Sequence, residues 1–307
     1  MQSILPLHQQ YCEYSLTFKG LSKRTLKNEY YVFKQFVSHT NLNHPDQITK
    51  SIIERYITEK KVYQNWSAKT IKNTLQAFNN FFKFYVSQGY GNINPVEDIP
   101  KPRIPKRLPK YIPKEDALKL IEWTYVAKFR YTFERIRARA IISTFLFTGV
   151  RQGELLSLKV SDIMLDEKVL RVENGKGGKD RLIPLNARLI GILQEYLQER
   201  QKRKKMSMYF FTSLRFDKQM SQSVIKRLFI KLQKDLGFKV YPHLLRHTFA
   251  TLMLQGGCGI YSLSKMMGHG DIKTTTIYLS LTTGHLNEQI NKHPLSFTPI
   301  QPLKKIF

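Results

Sequence analysis

Residue types suited to phosphate chemistry lie in the second half of this 307-residue chain, beginning with the segment TGVRQGELLSL at 148–158. Thr148-Gly149 is typical of a helix end, and Arg151 would open the next helix. An arginine there opposes the helix dipole unless an anion meets it, and a phosphate would also face the helix amides. Arg151 is therefore a candidate phosphate ligand, and a surface pair of Arg151 with Glu154 is the simpler alternative.

The segment PHLLRHT at 242–248 holds two histidines and an arginine. His243 and Arg246 are three residues apart, so they share a helix face and could reach one phosphate. His243 and His247 have the HxxxH spacing of zinc-binding helices, but Leu244 stands where such a helix carries its glutamate, and no third ligand is evident. A phosphate site is therefore favoured over zinc, and His247 is expected to pack or to cap the helix.

A glycine-rich turn, NGKGGK at 174–179, separates two short strand patterns. Glycine allows such a turn to approach a ligand closely, and Lys176 or Lys179 could donate a proton there. The turn is not a phosphate-binding P-loop, because Lys179 is followed by Asp180 rather than by Ser or Thr. A solvated hairpin tip is the alternative.

His269 and Tyr278 complete the set, nine residues apart in MGHGDIKTTTIY. A tyrosine hydroxyl, with an ordinary pKa near ~10, needs nearby cations if it is to lose its proton and attack phosphorus. Arg151, Arg246 and a histidine could stabilise the charge that develops on the phosphate, while Lys176 protonates the leaving oxygen. Each motif alone is a weak indication of function. Together they predict phosphoryl transfer with no metal ion and no cofactor, since no Asp/Glu cluster is present to hold Mg²⁺.

The elements that must position these residues are predicted to be mainly α-helical with a small β-sheet. Apolar residues recur at helical spacing, and Ser22, Ser67 and Asn186 stand where three helices would begin. Two apolar runs flanking the glycine-rich turn, 169–172 and 181–183, predict a β-hairpin. The predicted helices span residues 9–18, 22–38, 48–60, 67–85, 114–126, 133–147, 186–200, 221–236, 242–255 and 260–267, with one more near Tyr278.

One segment between these helices has a different composition. Residues 94–113 contain six prolines and five Lys/Arg. Proline removes backbone donors and biases the preceding residue to extended geometry, so a basic, semi-stiff linker is favoured over an ordinary surface loop. The predicted organisation is a four-helix domain at 1–98, a linker at 99–112 and a second domain at 113–307, which contains the candidate phosphate ligands.

Charge narrows the choice of partner. The chain has 50 Lys or Arg against 23 Asp or Glu, a formal net charge of +27, while 42% hydrophobic residues suffice for packed cores. A polyanion is the expected partner, nucleic acid first and an anionic membrane second. Residues 1–20 show no secretory signal, and the apolar run 140–150 is too short to span a bilayer. Two cysteines, Cys12 and Cys258, indicate no disulfide framework and a reducing setting, the cytoplasm or nucleoid.

Taken in order, these motifs resemble those of the tyrosine recombinases (phage integrase family), specifically the Xer-type branch. The resemblance extends over nearly the whole chain and includes GKGGKDRLIPL, HLLRHTFAT and the terminal His293-Pro294. It implies that Arg151 and Arg246 clamp the scissile phosphate, and that Glu154 supports the first of them.

The same resemblance assigns the remaining site residues. Lys176, in preference to Lys179, corresponds to the general acid on the hairpin. His243 corresponds to the general acid/base near the nucleophile, and His269 to a histidine that bonds the phosphate. Tyr278 corresponds to the nucleophile, which would form a 3′-phosphotyrosine and free a 5′-hydroxyl.

For the assembly, the resemblance implies a two-domain clamp on double-stranded DNA. The family's reaction passes through a Holliday junction in a homo- or hetero-tetramer on two sites with inverted arms, without ATP. The tail after the nucleophile, including Leu286 to Ile290 here, would dock on a neighbouring protomer. A partner recombinase or a DNA translocase is a further expected partner, and a membrane is not.

Some features leave alternatives open. Leu279-Ser280 stand where many Xer proteins have Thr-His, and Lys202 to Lys205 are unusually basic. Dimer resolution and mobile-element integration or excision therefore both remain, as do the DNA target and the order of strand exchange. A type IB topoisomerase-like enzyme is the first alternative, and a non-catalytic architectural DNA-binding protein is the second.

Overall fold

The computed structural model describes residues 3–105, 108–173, 180–269 and 271–279. The chain divides into two compact units, residues 1–106 and 107–307, and the division falls within the proline-rich segment. The helices of the first unit are α1 (Ile4–Phe18), α2 (Lys23–Thr40), α3 (Lys50–Gln64) and α4 (Ala68–Ser87). Between α4 and the next helix, the described residues contain turns and extended chain but no α-helix.

The first unit is built from capped helices around an aromatic core. The hydroxyls of Ser22 and Ser67 accept hydrogen bonds from amides three residues on, both 3.1 Å long, which confirms the two predicted caps. Phe33 and Phe81 pack at 4.7 Å between ring centroids in the centre of the unit. Helix α1 begins at Ile4, five residues earlier than expected, since Pro6 lies in the first turn, where proline is tolerated.

The second unit is mixed, as the sequence predicts. Its helices are α5 (Lys114–Val126), α6 (Thr132–Thr148), α7 (Gln152–Ser157), α8 (Ala187–Lys202), α9 (Gln222–Leu236), α10 (Pro242–Gln255), α11 (Ile260–Met267) and α12 (Lys273–Thr276). Helix α6 is buried along most of its length and packs against α5, α8 and α10. Asn186 caps α8 by accepting the Leu189 amide at 2.8 Å. Helix α6 is therefore the element around which the unit is assembled.

A three-stranded antiparallel sheet completes the second unit. Its strands are β1 (Ile163–Met164), β2 (Val169–Val172) and β3 (Arg181–Pro184), in the order β1-β2-β3. Val172 pairs with Arg181, so β2 and β3 form the predicted hairpin. Strand β1 has only two residues and no alternating pattern to predict it. The register places Arg181 at the end of β3 that is nearest the glycine-rich turn.

The last helices form a separate apolar cluster against α10. Its buried members are Phe249, Ala250, Leu254, Leu263, Met267 and Tyr278. Tyr278 follows α12 and lies in this cluster with 2% of its surface exposed. Across the described ranges, none of the helices combines the length and apolar character needed to cross a membrane.

Candidate active site

The first element of the site is the sharp connection between α6 and α7. Gly149 ends α6 in the left-handed region at φ +61°, and a Cβ there would approach the Phe249 ring to 2.3 Å. Only glycine fits this turn, which brings Arg151 to the N-cap of α7. The predicted helix end and helix start are therefore both found at the expected residues.

Glu154 is a buried carboxylate rather than one half of a surface pair. It accepts hydrogen bonds from the Arg151 amide at 2.7 Å and from the Arg151 guanidinium at 2.8 Å. Arg181 adds two more, at 3.0 and 2.7 Å. Burial opposes the negative charge, but the hydrogen bonds from Arg181 and Arg151 outweigh it and lower the pKa of Glu154 to about 2. Glu154 stays ionised at neutral pH and holds Arg151 in place.

Arg246 is a buried cation on α10. Its guanidinium donates to the carbonyls of Gly149 and Met267, both at 2.6 Å, and contacts His269 Nε2 at 3.0 Å. Burial, reinforced by the neighbouring charge of Arg151, lowers its pKa to about 10. Arg246 therefore remains charged at neutral pH while lacking a carboxylate partner within salt-bridge distance among the described residues. An anion next to it would be strongly stabilised.

The end of α11 anchors three arginines through its backbone. Arg181 donates a hydrogen bond to the Met266 carbonyl at 2.8 Å, and Arg246 donates to the Met267 carbonyl at 2.6 Å. Arg151 donates to the Gly268 carbonyl at 3.5 Å. Cations are favoured at a helix C-terminus, where the carbonyls carry the negative end of the dipole. Gly268 ends the helix at φ +62°. The three guanidinium groups therefore gather at one helix end.

His269 follows this helix end and contacts Arg246. A guanidinium group can only donate hydrogen bonds. His269 Nε2 therefore accepts the bond from Arg246, and Nδ1 carries the ring proton. Nδ1 then donates to Thr275 Oγ1 at 2.7 Å. Burial, together with the charges of Arg246 and Arg151, lowers the pKa of His269 to about 4. The ring is neutral at neutral pH and is oriented from both sides.

Tyr278 reaches the site through a histidine on α10. Its hydroxyl lies 2.7 Å from His247 Nδ1. Burial raises the pKa of Tyr278, and Arg246 and Arg151 oppose that shift only partly. The hydroxyl therefore keeps its proton in this state and can donate it to the imidazole.

His243 lies one turn before His247 on the exposed side of α10. The two rings meet edge to face with centroids 4.3 Å apart. Within the described residues, no three His, Cys, Asp or Glu side chains gather closely enough to share a metal ion.

Five of the six predicted site residues are thus described, and they come from α7, α10 and the segments after α11. The structure brings Arg151, Arg246 and His269 together. The remaining residue, Lys176, lies outside the described residues, as does its alternative Lys179. Arg181 has no signal in the sequence beyond its strand position. His247 was expected to pack or to cap the helix, whereas its ring is hydrogen-bonded to the Tyr278 hydroxyl.

Comparisons with known proteins identify the family of this chain. The model of the phage integrase family matches residues 111–285, and that of the phage integrase N-terminal SAM-like domain matches residues 7–92. Tyrosine recombinase XerA of Pyrococcus horikoshii is 31% identical over 283 residues, which are 91% of each chain. The chain belongs to the phage integrase family. A second tyrosine recombinase, XerC of Pelobacter propionicus, is 32% identical over 304 residues, covering 96% of this recombinase and 98% of its own length.

Solved structures of tyrosine recombinases share the fold. The crystal structure of XerA recombinase matches with a TM-score of 0.52 at 32% identity, over 94% of this chain and 98% of that one. XerH site-specific recombinase, in a post-cleavage complex with palindromic difH substrate, matches with a TM-score of 0.71 at 20% identity, over 94% and 95% of the two chains. The mainly helical fold with a small sheet, the family and the Xer-type resemblance are confirmed.

Proposed function

We propose that this recombinase cuts and rejoins DNA strands at a specific site through a covalent 3′-phosphotyrosyl intermediate on Tyr278. Arg151 and Arg246 hold the non-bridging oxygens of the scissile phosphate, and His269 adds a further hydrogen bond. Their fixed positions stabilise charge as it develops, so the reaction needs neither ATP nor a cofactor. The released 5′-hydroxyl of one strand then attacks the phosphotyrosine of another, which leads to a Holliday junction.

One observation carries this proposal: Arg246 is buried, hydrogen-bonded to His269, and gathered with Arg151 at the end of α11. Arg246 has two carbonyls and a neutral ring as partners but no counter-ion among the described residues. Such a concentration of buried positive charge is unfavourable unless an anion completes it. A phosphodiester supplies that anion and fits the forked geometry of the guanidinium groups.

The leaving oxygen needs a proton, which we assign to Lys176 in the glycine-rich sequence that links β2 and β3. His243 is proposed to act as general acid/base beside the nucleophile. Glu154 and Arg181 do not touch the phosphate in this scheme. They hold Arg151 through the buried ion pair and thereby position it.

The substrate that fits these residues is double-stranded DNA. The formal net charge of +27 suits a phosphate-tracking surface, and the structural neighbour XerH was solved with a DNA site bound. We propose residues 1–98 as the core-binding domain, 99–112 as the linker and 113–307 as the catalytic domain with its tail. Recombination would take place in the cytoplasm within a homo- or hetero-tetramer on two inverted-repeat sites. A second recombinase or a DNA translocase is a candidate accessory partner in Xer-type dimer resolution.

The test begins with the DNA site. Duplexes selected by this protein from a random-sequence library should contain an imperfect inverted repeat, here termed the selected site. On a nicked version of the selected site, the wild-type chain should accumulate a covalent protein–DNA adduct. Tyr278→Phe should bind the same duplex and form no adduct. Adducts in that variant would refute the assignment of the nucleophile.

A second assay separates recombination from simple relaxation. A plasmid with two selected sites should be resolved into two circles, whereas a plasmid with one site should not be relaxed efficiently. A type IB topoisomerase would relax both plasmids. Binding to the selected site should also weaken steeply with salt because phosphate contacts release counter-ions; a flat salt response would contradict the proposed surface.

A further inference from the structure

The hydrogen bond between His247 and Tyr278 raises a question about where the nucleophile's proton goes. The two atoms, Nδ1 and Oη, are 2.7 Å apart, which is within the range of a strong hydrogen bond. His243, the histidine that the family resemblance places beside the nucleophile, packs its ring against that of His247. The following inference rests on the proposed function, because it concerns the chemistry of Tyr278.

The position of His247 is set by the same elements that build the phosphate site. It directly follows Arg246, whose guanidinium is fixed by the carbonyls of Gly149 and Met267. The next residue, Thr248, is also held, since its hydroxyl accepts the Ile112 amide at 2.9 Å and donates to the Leu244 carbonyl. This turn of α10 is therefore rigid, and a rigid element is what a proton-accepting group requires.

The surroundings of the pair favour an acceptor role for the ring. Burial lowers the pKa of His247 to about 4, with His243 and Arg246 acting in the same direction, so the ring is neutral and has one nitrogen lone pair. Tyr278 is almost wholly buried and keeps its proton. A neutral imidazole has two tautomers, and in the one protonated at Nε2 the Nδ1 atom accepts the hydrogen of the Tyr278 hydroxyl. We assign this tautomer to His247. A bound phosphodiester would then stabilise the imidazolium that proton transfer produces.

We propose that His247 is a catalytic residue of DNA cleavage, holding the Tyr278 hydroxyl through Nδ1 and accepting its proton as the oxygen attacks phosphorus. Nothing in the family resemblance assigns this residue a role. In place of the general acid/base role that the proposed function gives to His243, His247 is the direct proton acceptor, and the His243 ring packs against it.

The step balances without any additional reactant. As the bond from Tyr278 Oη to phosphorus forms, the O–H bond breaks and its proton moves to His247 Nδ1. The bond from phosphorus to the 5′-oxygen breaks, and that oxygen takes a proton from the general acid, Lys176 in the proposed function. Rejoining reverses the sequence: the 5′-hydroxyl attacks, the phosphotyrosine bond breaks, and the imidazolium returns its proton to the phenolate.

The experiment measures single-turnover adduct formation on the nicked selected site. His247→Phe keeps an aromatic ring but cannot accept a proton, and His247→Asn keeps a hydrogen-bonding atom near the Nδ1 position without useful basicity. Both should bind DNA with unchanged affinity and form adduct at least about 100-fold more slowly than wild type, the usual contribution of a general base. Cys258→Ala changes a partly buried residue packed on the same apolar cluster and should cleave at the wild-type rate.

A substrate with sulfur in place of the bridging 5′-oxygen separates this role from that of a general acid. A thiolate leaves without a proton, so the sulfur substrate should restore cleavage to Lys176→Ala but not to either His247 variant. The inference would be overturned if the sulfur substrate restored cleavage to either His247 variant. It would also be overturned if either variant cleaved the ordinary substrate at the wild-type rate. Should His247→Phe fail to fold, His247→Asn carries the same test. Adducts formed by Tyr278→Phe in parallel would instead refute the proposed nucleophile.

Discussion

Arg181 and Glu154 form a two-point ion pair behind Arg151, with side-chain exposures of 7% and 8%. Because Glu154 also binds Arg151 twice, one carboxylate joins the strand β3 to the N-terminus of α7. Arg151 is therefore positioned by a residue from a different element.

Replacing Arg181 tests this arrangement. Arg181→Gln removes two of the hydrogen bonds that reach Glu154 and releases the Met266 carbonyl. Breaking a buried pair is expected to lower the free energy of unfolding by about 3 kcal/mol. A small displacement of Arg151 should slow adduct formation by about 100-fold. Lys119→Gln, which removes an exposed pair with Asp116 on the surface of α5, is the control and should have a small effect on denaturant unfolding.

Gly268 offers a second test of the same region. A Cβ at this position would lie 2.9 Å from both Cδ and Nη1 of Arg181, and the residue has a φ of +62°. Gly268→Ala should therefore slow adduct formation, in addition to the backbone strain of about 1 kcal/mol. Gly237→Ala carries comparable strain at φ +77° but meets no atom within 4 Å. It should lower thermal stability and leave cleavage unchanged; equal cleavage by the two variants would contradict the steric argument.

The orientation of His269 depends on Thr275. Thr275→Val removes the oxygen that accepts from His269 Nδ1, so the ring loses the partner that fixes it opposite Arg246. We expect about a tenfold slower cleavage with unchanged DNA affinity, which corresponds to roughly 1.4 kcal/mol of transition-state stabilisation. Nitrogen NMR of the wild type should show the Nδ1–H tautomer. Finding the Nε2–H tautomer in the DNA-free protein would contradict the assigned hydrogen bonds.

His8 makes the first unit sensitive to acid. Its ring is fully buried against Phe33 and Phe81, and its Nε2 has no partner among the described residues. Burial lowers the pKa of His8 from 6.5 to about 4. Between these pH values the unfolded chain binds a proton that the folded unit does not, so stability falls as the pH drops from 6.5 to 4.

The fall in the free energy of unfolding caused by His8 should reach roughly 3 kcal/mol near pH 4. Hydrogen exchange of the α1 and α4 amides, followed in the full chain, measures this change for the first unit alone. His8→Phe preserves the ring packing and should flatten this pH dependence. The same slope in the variant and in the wild type would show that His8 is not the titrating group.

Much of the fold could be predicted because its signals are local. Ser22, Ser67 and Asn186 each cap a helix through an amide three residues away, so residue type and spacing suffice. The buried face of α2 was less well predicted. The helical spacing of Leu26, Tyr30, Phe33 and Val37 predicts one buried stripe. Leu26 and Phe33 are buried as expected, but the buried face also contains Glu29 rather than Tyr30. Tyr11 and Asn80 each donate a hydrogen bond to Glu29, and these long-range partners are invisible in a periodicity argument.

The site residues also fall into two groups, those that the sequence identified and those that it did not. Arg151, His243, Arg246, His269 and Tyr278 stood out because their ordered spacing resembles that of a family. Arg181 and His247 did not, since each acts through a partner far along the chain. Arg181 is 27 residues from Glu154, and His247 is 31 residues from Tyr278. Such contacts exist only once β3 and the segment after α12 have packed against α7 and α10.

Backbone carbonyls at the end of α11, from Met266 to the C-cap Gly268, accept the hydrogen bonds from Arg181, Arg246 and Arg151. Substitutions at exposed residues of α11 therefore preserve these three hydrogen bonds, as long as the backbone conformation of the last turn is unchanged. Repacking beneath that turn, around Leu263, would instead displace three guanidinium groups in concert. Selection for substitutions beneath this helix turn would therefore shift all three arginines together, whereas replacing a single arginine changes only one of them.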